Sequence, residues 1–154
     1  MVRETIHNYL LQKGIEYDVI RHARALTAEE IAHTAHIPAK EIAKTVVLRI
    51  DGILALAVLH ANERVDLERL GEYLGTNDIQ LCSEEELEEL FPDCELGAMP
   101  PFGDLYRMPV IVSESVASSD RIVCNAGTHT DLLSISYASF ARAVKPMVGC
   151  FTSH

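Results

Sequence analysis

The stretch TVVLRIDGILALAVL, Thr45 to Leu59, holds two β-rich runs on either side of Asp51-Gly52. Asp-Gly accepts positive φ at both central positions of a type I′ turn, so the dipeptide between two apolar runs predicts a two-residue hairpin. Such a turn sets the register. Ile50 faces Ile53 and, stepping back along the ladder, Lys44 comes opposite Leu59. Side chains alternate across a strand, which puts Lys44 on the face of Val46, Leu48 and Ile50. The second run is apolar on both faces and needs cover on both sides. That predicts a central place in a sheet flanked by helices or folded into a barrel.

Helical signals surround the hairpin. Ile6, Tyr9 and Leu10 recur at helical spacing and Gly14 supplies a C-terminal cap, predicting a helix from about residue 2 to 13 and then a strand in EYDVIRH. Thr27 with Glu30 forms a T-x-x-E capping box for a second helix running to about His36, and Pro38 opens a short turn. Asp66 caps a helix carrying Leu67, Leu70 and Leu74 that ends near Gly75. Ser83 with Glu86 makes another capping box before Leu87, Leu90 and Phe91. Three further β-like runs, PVIVS, RIVCNA and DLLSIS, precede a terminal helix with Phe140 and Val144 that Pro146 stops. No repeat, low-complexity tract or linker interrupts the chain. The expected architecture is one α/β (mixed α+β) domain over residues 1–154, with a mixed, barrel-like sheet flanked by helices.

At 154 residues and 48% hydrophobic content the chain has ample material for one core. No apolar run approaches the ~20 residues of a membrane span, and MVRETIHNYLLQKG lacks a signal-peptide core, so a cytoplasmic protein with no membrane partner is expected. Cys82, Cys94, Cys124 and Cys150 are scattered without a CxxC pair and read as reduced thiols. A net charge of −10 argues at first against a nucleic-acid partner. Its distribution changes that reading. Residues 63–95 hold twelve acidic side chains against Arg64 and Arg69, so this region carries the whole excess and the remainder sums to zero. A polyanion can approach that neutral remainder, which includes Arg21, Arg24, Lys40, Lys44 and Arg49, for modest and local binding.

An ammonium that ends an apolar row, as at Lys44, has two readings. Its stem covers the core edge with the head in water, or it is a cation at the mouth of a pocket, placed to meet a phosphate. The loop GAMPPFG, Gly97 to Gly103, has two as well. Its prolines restrict the backbone and its glycines allow close approach, which suits recognition of a carbonyl or oxyanion by main-chain N–H groups. Alternatively it is a tight surface connection whose Met99 and Phe102 plug the core. His129 follows Gly127 in a turn between two predicted strands, as a solvated turn histidine or as a group that orients a substrate or a water. His33 and His36 have no third ligand at useful spacing, so no metal is expected. Ser113 or Ser115 with His129 lacks a G-x-S-x-G elbow. Neither G-x-G-x-x-G nor a Walker sequence occurs, and no nucleotide cofactor is expected.

Four motifs in order carry a resemblance: VIRH followed by TAEEIA, AKTVVL with its lysine entering a strand, GAMPPFG, and NAGTHTDLLSIS before a final helix. Together they resemble the YbaK/prolyl-tRNA synthetase-associated domain over nearly the entire chain. Members of that family are free-standing or inserted editing domains that deacylate mischarged tRNA. The resemblance implies that Lys44 contacts the phosphate of the terminal adenosine of tRNA, that the Gly97 to Pro101 loop holds the aminoacyl carbonyl through backbone N–H groups, and that His129 shapes the pocket and places the substrate. Lys44, Gly97 and His129 are thereby the implied catalytic set. By the same resemblance His22, Ala98, Met99, Pro100, Pro101, Phe102, Gly103, Gly127 and Thr128 are implied to bind substrate, with Met99 or Phe102 walling an amino-acid pocket.

No protein nucleophile and no cofactor are implied, since the terminal ribose hydroxyl and an ordered water supply the chemistry. An aminoacyl ester is already activated, so positioning and oxyanion stabilisation suffice for its hydrolysis. The implied function is a trans-editing aminoacyl-tRNA deacylase that removes a small amino acid from misacylated tRNA. The acceptor end of tRNA and an aminoacyl-tRNA synthetase are the implied partners, and DNA is not one. A non-catalytic module holding a tRNA end, a nucleotide or a synthetase is the alternative, and a hydrolase of small esters or thioesters is a third reading.

Overall fold

The computed structural model describes residues 2–25 and 28–153, and their side chains from residue 4 onward except those of residues 28 and 29. The first half contains α1 (Val2–Gln12), β1 (Tyr17–Arg21), α2 (Ala28–Ala35), β2 (Ile42–Ile50), β3 (Ile53–His60), β4 (Arg64–Val65) and α3 (Leu67–Leu74). Then follow β5 (Ile79–Leu81), α4 (Glu84–Leu90), β6 (Val110–Ser113), α5 (Glu114–Ala117), β7 (Arg121–Asn125), β8 (Asp131–Ser136), α6 (Tyr137–Val144), β9 (Met147–Gly149) and β10 (Thr152–Ser153).

The Asp51-Gly52 hairpin forms as its chemistry dictates. Both turn residues adopt positive φ, 49° and 80°, and the ladder pairs Ile50 with Ile53 and Lys44 with Leu59. β3 is buried from Ala55 to His60 because β2 lies on one side of it and β6 on the other. The large sheet runs β1-β8-β7-β2-β3-β6-β9, with β5 also paired to β2. It is mixed: β2–β7, β3–β6 and β6–β9 are parallel, whereas β1–β8, β7–β8, β2–β3 and β2–β5 are antiparallel. Since β3 occupies one edge of β2, the other edge is shared. Ile42 and Ala43 pair with β7, and Leu48 to Ile50 pair with β5.

Alternation sorts the core into two faces. Ala43, Val47, Leu56, Val58, Cys124 and Leu133 point into the main cluster, which α1 fills with Ile6, Tyr9 and Leu10 and α6 with Phe140. On the opposite face two smaller clusters form. One lies under α3, where Leu48, Leu59, Leu70 and Phe151 meet, and the other under α2, where Ile31, Ile42 and Leu132 meet. Each of these side chains, buried from water, contributes about 1.5–3 kcal/mol, so the hairpin is stabilised through both faces of its strands.

The helix ends follow the cap chemistry. Asp66 accepts from the Arg69 N–H and Gly75 closes α3 with φ 75°, while Ser83 and Glu86 exchange both bonds of a capping box. The box assigned to Thr27 falls outside the described residues. The short strands β4, β5, β9 and β10 and the single-turn helix α5 were not expected. Two- or three-residue strands carry too few side chains to show a period, and tertiary pairing defines them instead.

One buried carboxylate ties three distant segments of this arrangement together. Glu63, 6% exposed, accepts from Ser115 Oγ at 2.7 Å, Thr152 Oγ1 at 2.8 Å and the His60 N–H at 3.1 Å. Burial alone would raise its pKa, but the hydrogen bonds from Ser115, Thr152 and His60 outweigh that and hold it below the ordinary carboxylate value. A depressed folded value contributes stability above the unfolded pKa and loses it as pH falls through the folded one. Glu63→Gln is therefore expected to cost about 2 kcal/mol near neutral pH and to flatten the acid limb of stability, as read by urea unfolding from pH 7 down to pH 3.

Candidate active site

The β2–β7 pairing places the first candidate. The parallel register joins Ile42 to Val123 and Ala43 to Cys124, and Lys44 and Asn125 are the next residues of the two strands. Asn125 is opposite Leu132, and Leu132 is opposite Ile20. One row thus runs through Ile20, Leu132 and Asn125 across β1, β8 and β7, and Lys44 is opposite Leu59 across β2 and β3. Lys44 sits where its face of β2 passes from the cluster under α2, reached by Ile42, to the cluster under α3, reached by Val46. Its half-buried stem covers the apolar edge and its Nζ reaches the Ala61 carbonyl at 3.4 Å.

The GAMPPFG loop docks against the turn that follows Asn125. The Gly127 N–H donates to Ala98 O at 2.9 Å and the Glu95 N–H to Gly127 O at 2.8 Å. Gly97 is exposed with φ 84°, whereas residues 98–103 are all buried. Phe102 is fully buried against the rings of Tyr9 and Phe140, and Met99 belongs to the same cluster. Both side chains are core plugs rather than walls of an open pocket. Gly103 is explained by crowding, because a Cβ there would lie 2.3 Å from the Met108 carbonyl oxygen.

The amides of the loop divide in the same way. The Ala98 N–H is spent on Glu95 O and the Gly103 N–H on Pro101 O, and Pro100 and Pro101 have none to offer. Among the described residues, the N–H groups of Gly97, Met99 and Phe102 have no acceptor in the chain. These three are the loop amides left unspent.

His129 closes the corner. It is 4% exposed, its Nε2–H donates to Leu96 O at 2.7 Å, and its Cε1 lies 3.7 Å from the point a Cβ on Gly97 would occupy. It is therefore no solvated turn histidine. Its main-chain N–H donates to Glu95 Oε2 at 3.1 Å, and Arg24 pairs with that carboxylate at 3.1 Å. Glu95, which composition assigns only to the acidic region, is the hub of three loops. Nothing in its sequence context distinguishes it from its acidic neighbours.

His22 joins through its N–H to Thr130 O at 2.9 Å, and its Nδ1–H donates to Ala23 O at 2.7 Å. Thr128 spends its hydroxyl hydrogen on Asp131 at 3.1 Å, which makes it a brace of the turn. Ser113 and Ser115 bond each other, and Ser115 bonds Glu63, away from His129. Cys124, beside the row, is pushed up to about 12 by burial and stays a thiol, not a nucleophile.

A further residue emerges that composition does not flag. Among the described residues, the buried side-chain polar atoms without a hydrogen-bond partner are His22 Nε2, Asn125 Oδ1 and His129 Nδ1. All three belong to this corner. An unsatisfied buried group costs about 1–3 kcal/mol, and each such group calls for a partner, whether an ordered water, an ion or a ligand.

The profile of the aminoacyl-tRNA editing domain matches residues 22–143. The multifunctional Ser/Thr-tRNA deacylase ProXp-y of Escherichia coli (strain K12) is 26% identical over 142 residues, covering 89% of this chain and 84% of that protein. The proline–tRNA ligase of Lactococcus lactis subsp. lactis (strain IL1403) is 27% identical over 135 residues, 88% of this chain but 21% of the ligase. A crystal structure described as a candidate trans-editing enzyme for prolyl tRNA synthetase superposes with a TM-score of 0.86 at 19% identity, covering 99% of this chain and 98% of that one. That likeness establishes the fold.

Two glycine substitutions separate the roles inside the loop. Gly97→Ala is expected to lose about 1–2 kcal/mol through its left-handed φ, since its nearest neighbour leaves ordinary contact distance. Gly103→Ala is expected to lose more, from the clash with Met108, with urea midpoints of the two variants as the measurement. The profile match spans most of the fold and every candidate residue named above, and the chain belongs to the aminoacyl-tRNA editing domain family.

Proposed function

We propose that the protein is a trans-editing deacylase that hydrolyses the ester of misacylated tRNA carrying a small amino acid, by substrate-assisted attack of water. Family membership makes the chain a hydrolase of the aminoacyl-tRNA ester bond. One observation carries the finer reading: the segment Asn125 to Gly127 abuts Lys44 through β2 at one end and the GAMPPFG loop at the other. A cation and the unspent loop amides are thereby held within a few residues of each other.

In this reading the Lys44 ammonium takes the phosphate of the terminal adenosine. The Gly97 and Met99 N–H groups take the aminoacyl carbonyl and stabilise the oxyanion that forms as water adds to it. A preorganised donor of this kind is worth about 3 kcal/mol in the transition state. The ester needs no protein nucleophile, because the adjacent ribose hydroxyl and a positioned water supply the attack. His129, fixed by Leu96 and Glu95, holds the wall beside Gly97 in place. Ile20 and Leu132, apolar and in the row with Asn125, suit a short side chain.

The acceptor end of tRNA is the partner this site requires, with a synthetase as the source that delivers it. Deacylation measured over a panel of mischarged tRNAs is expected to show release of a small amino acid. Folded protein that releases none would overturn the proposal. Lys44→Ala is expected to slow release more than tenfold with the thermal midpoint within a few degrees, because the stem it removes is only half-buried.

A further inference from the structure

The three orphaned atoms share a chemical sign. A carbonyl oxygen only accepts, so the short contact from His22 Nδ1 to Ala23 O puts the ring proton on Nδ1 and leaves Nε2 as a lone-pair acceptor. The same logic at His129 puts the proton on Nε2, bonded to Leu96 O, and leaves Nδ1 as the acceptor. Asn125 Oδ1 is an acceptor by nature. Among the described residues, the buried side-chain atoms left without a partner are therefore all acceptors.

Asn125 is the best placed of the three. It is 7% exposed, follows Cys124, whose partner Ala43 precedes Lys44, and is opposite Leu132. His22 continues the alternation of Ile20, its N–H extending the β1–β8 ladder to Thr130. A ligand group that satisfies these side-chain atoms must bring donors. The ribose hydroxyls of an aminoacylated adenosine also accept, and its base carries ring acceptors beside the amino group. The α-ammonium of the amino acid is the group with donors alone.

Resting on the deacylase reading, we propose that Asn125 Oδ1 receives the α-ammonium of the aminoacyl group, with His22 Nε2 as a supporting acceptor. The protein then recognises a free α-amine as well as a small side chain.

The test uses binding, so that it is independent of cleavage. The probes are 3′-alanylamino-3′-deoxyadenosine 5′-phosphate, whose amide resists hydrolysis, and the same compound N-acetylated on the alanine. Calorimetry on the intact protein is expected to show at least tenfold tighter binding of the free amine. Asn125→Leu is expected to bring the two probes within about twofold of each other, while Asn125→Asp retains the preference. Equal binding of both probes by the unaltered protein, or a preference kept in Asn125→Leu, overturns the assignment. If Asn125→Leu fails to fold, Asn125→Ala carries the same comparison. Preference for the free amine without release from any mischarged tRNA would overturn the deacylase reading and leave the ammonium assignment standing.

Discussion

Two residue pairs join the sheet into one. The strands β1, β8 and β7 form an antiparallel unit and β2, β3, β5, β6 and β9 form the rest, and within the sheet they meet at Ile42–Val123 and Ala43–Cys124. This parallel seam is short because the other half of the same β2 edge is occupied by β5. Its brevity matters for the site. The β2–β7 pairing ends at Ala43 and Cys124, and the next residues of the two strands are Lys44 and Asn125, each still paired on its other edge, to Leu59 and Leu132. Apolar anchors on both faces, Ile42 beneath α2 and Ala43 in the main core, keep the seam shut where hydrogen bonds are few. Polar groups collect at the opening.

The loops around that opening are tied to each other more than to the helices. Glu95 holds the His129 amide and the Arg24 guanidinium, Gly127 bonds Ala98 and Glu95, and Ala25 bonds His129. Several acidic residues of the 63–95 region are consequently spent inside the molecule. Glu63 is buried, Glu86 pairs with Arg49, and Glu95 pairs with Arg24. Each of these ion pairs also uses a guanidinium, so the net charge a polyanion meets is unchanged, and the acid is locally neutralised only beside Arg24 and Arg49.

Much of this was legible in the sequence where a local rule applies. Asp51-Gly52 set the hairpin and the Lys44–Leu59 register because a two-residue turn leaves no freedom of pairing. Asp66 and Ser83 marked helix starts for the same local reason. The remainder depends on residues distant in the chain. That β7 pairs parallel with β2 and not with its neighbour β6, that Phe102 and Met99 face inward, and that Gly103 yields to Met108 are outcomes of packing without a short-range signature. Asn125 and Glu95 were illegible for a sharper reason. An asparagine at a strand end and a glutamate after an acidic helix are ordinary, and only an unmet or doubly used hydrogen-bonding capacity sets them apart.

The split within GAMPPFG has a bearing on how such a protein tolerates change. The unspent groups at Gly97, Met99 and Phe102 are main-chain amides, while the side chains of Met99 and Phe102 are committed inward to the core. Substitution elsewhere around the corner can change the surrounding side chains without touching those amides, because they are generated by backbone shape alone. The donors of this loop are thus insulated from sequence drift around them and are inherited with the fold.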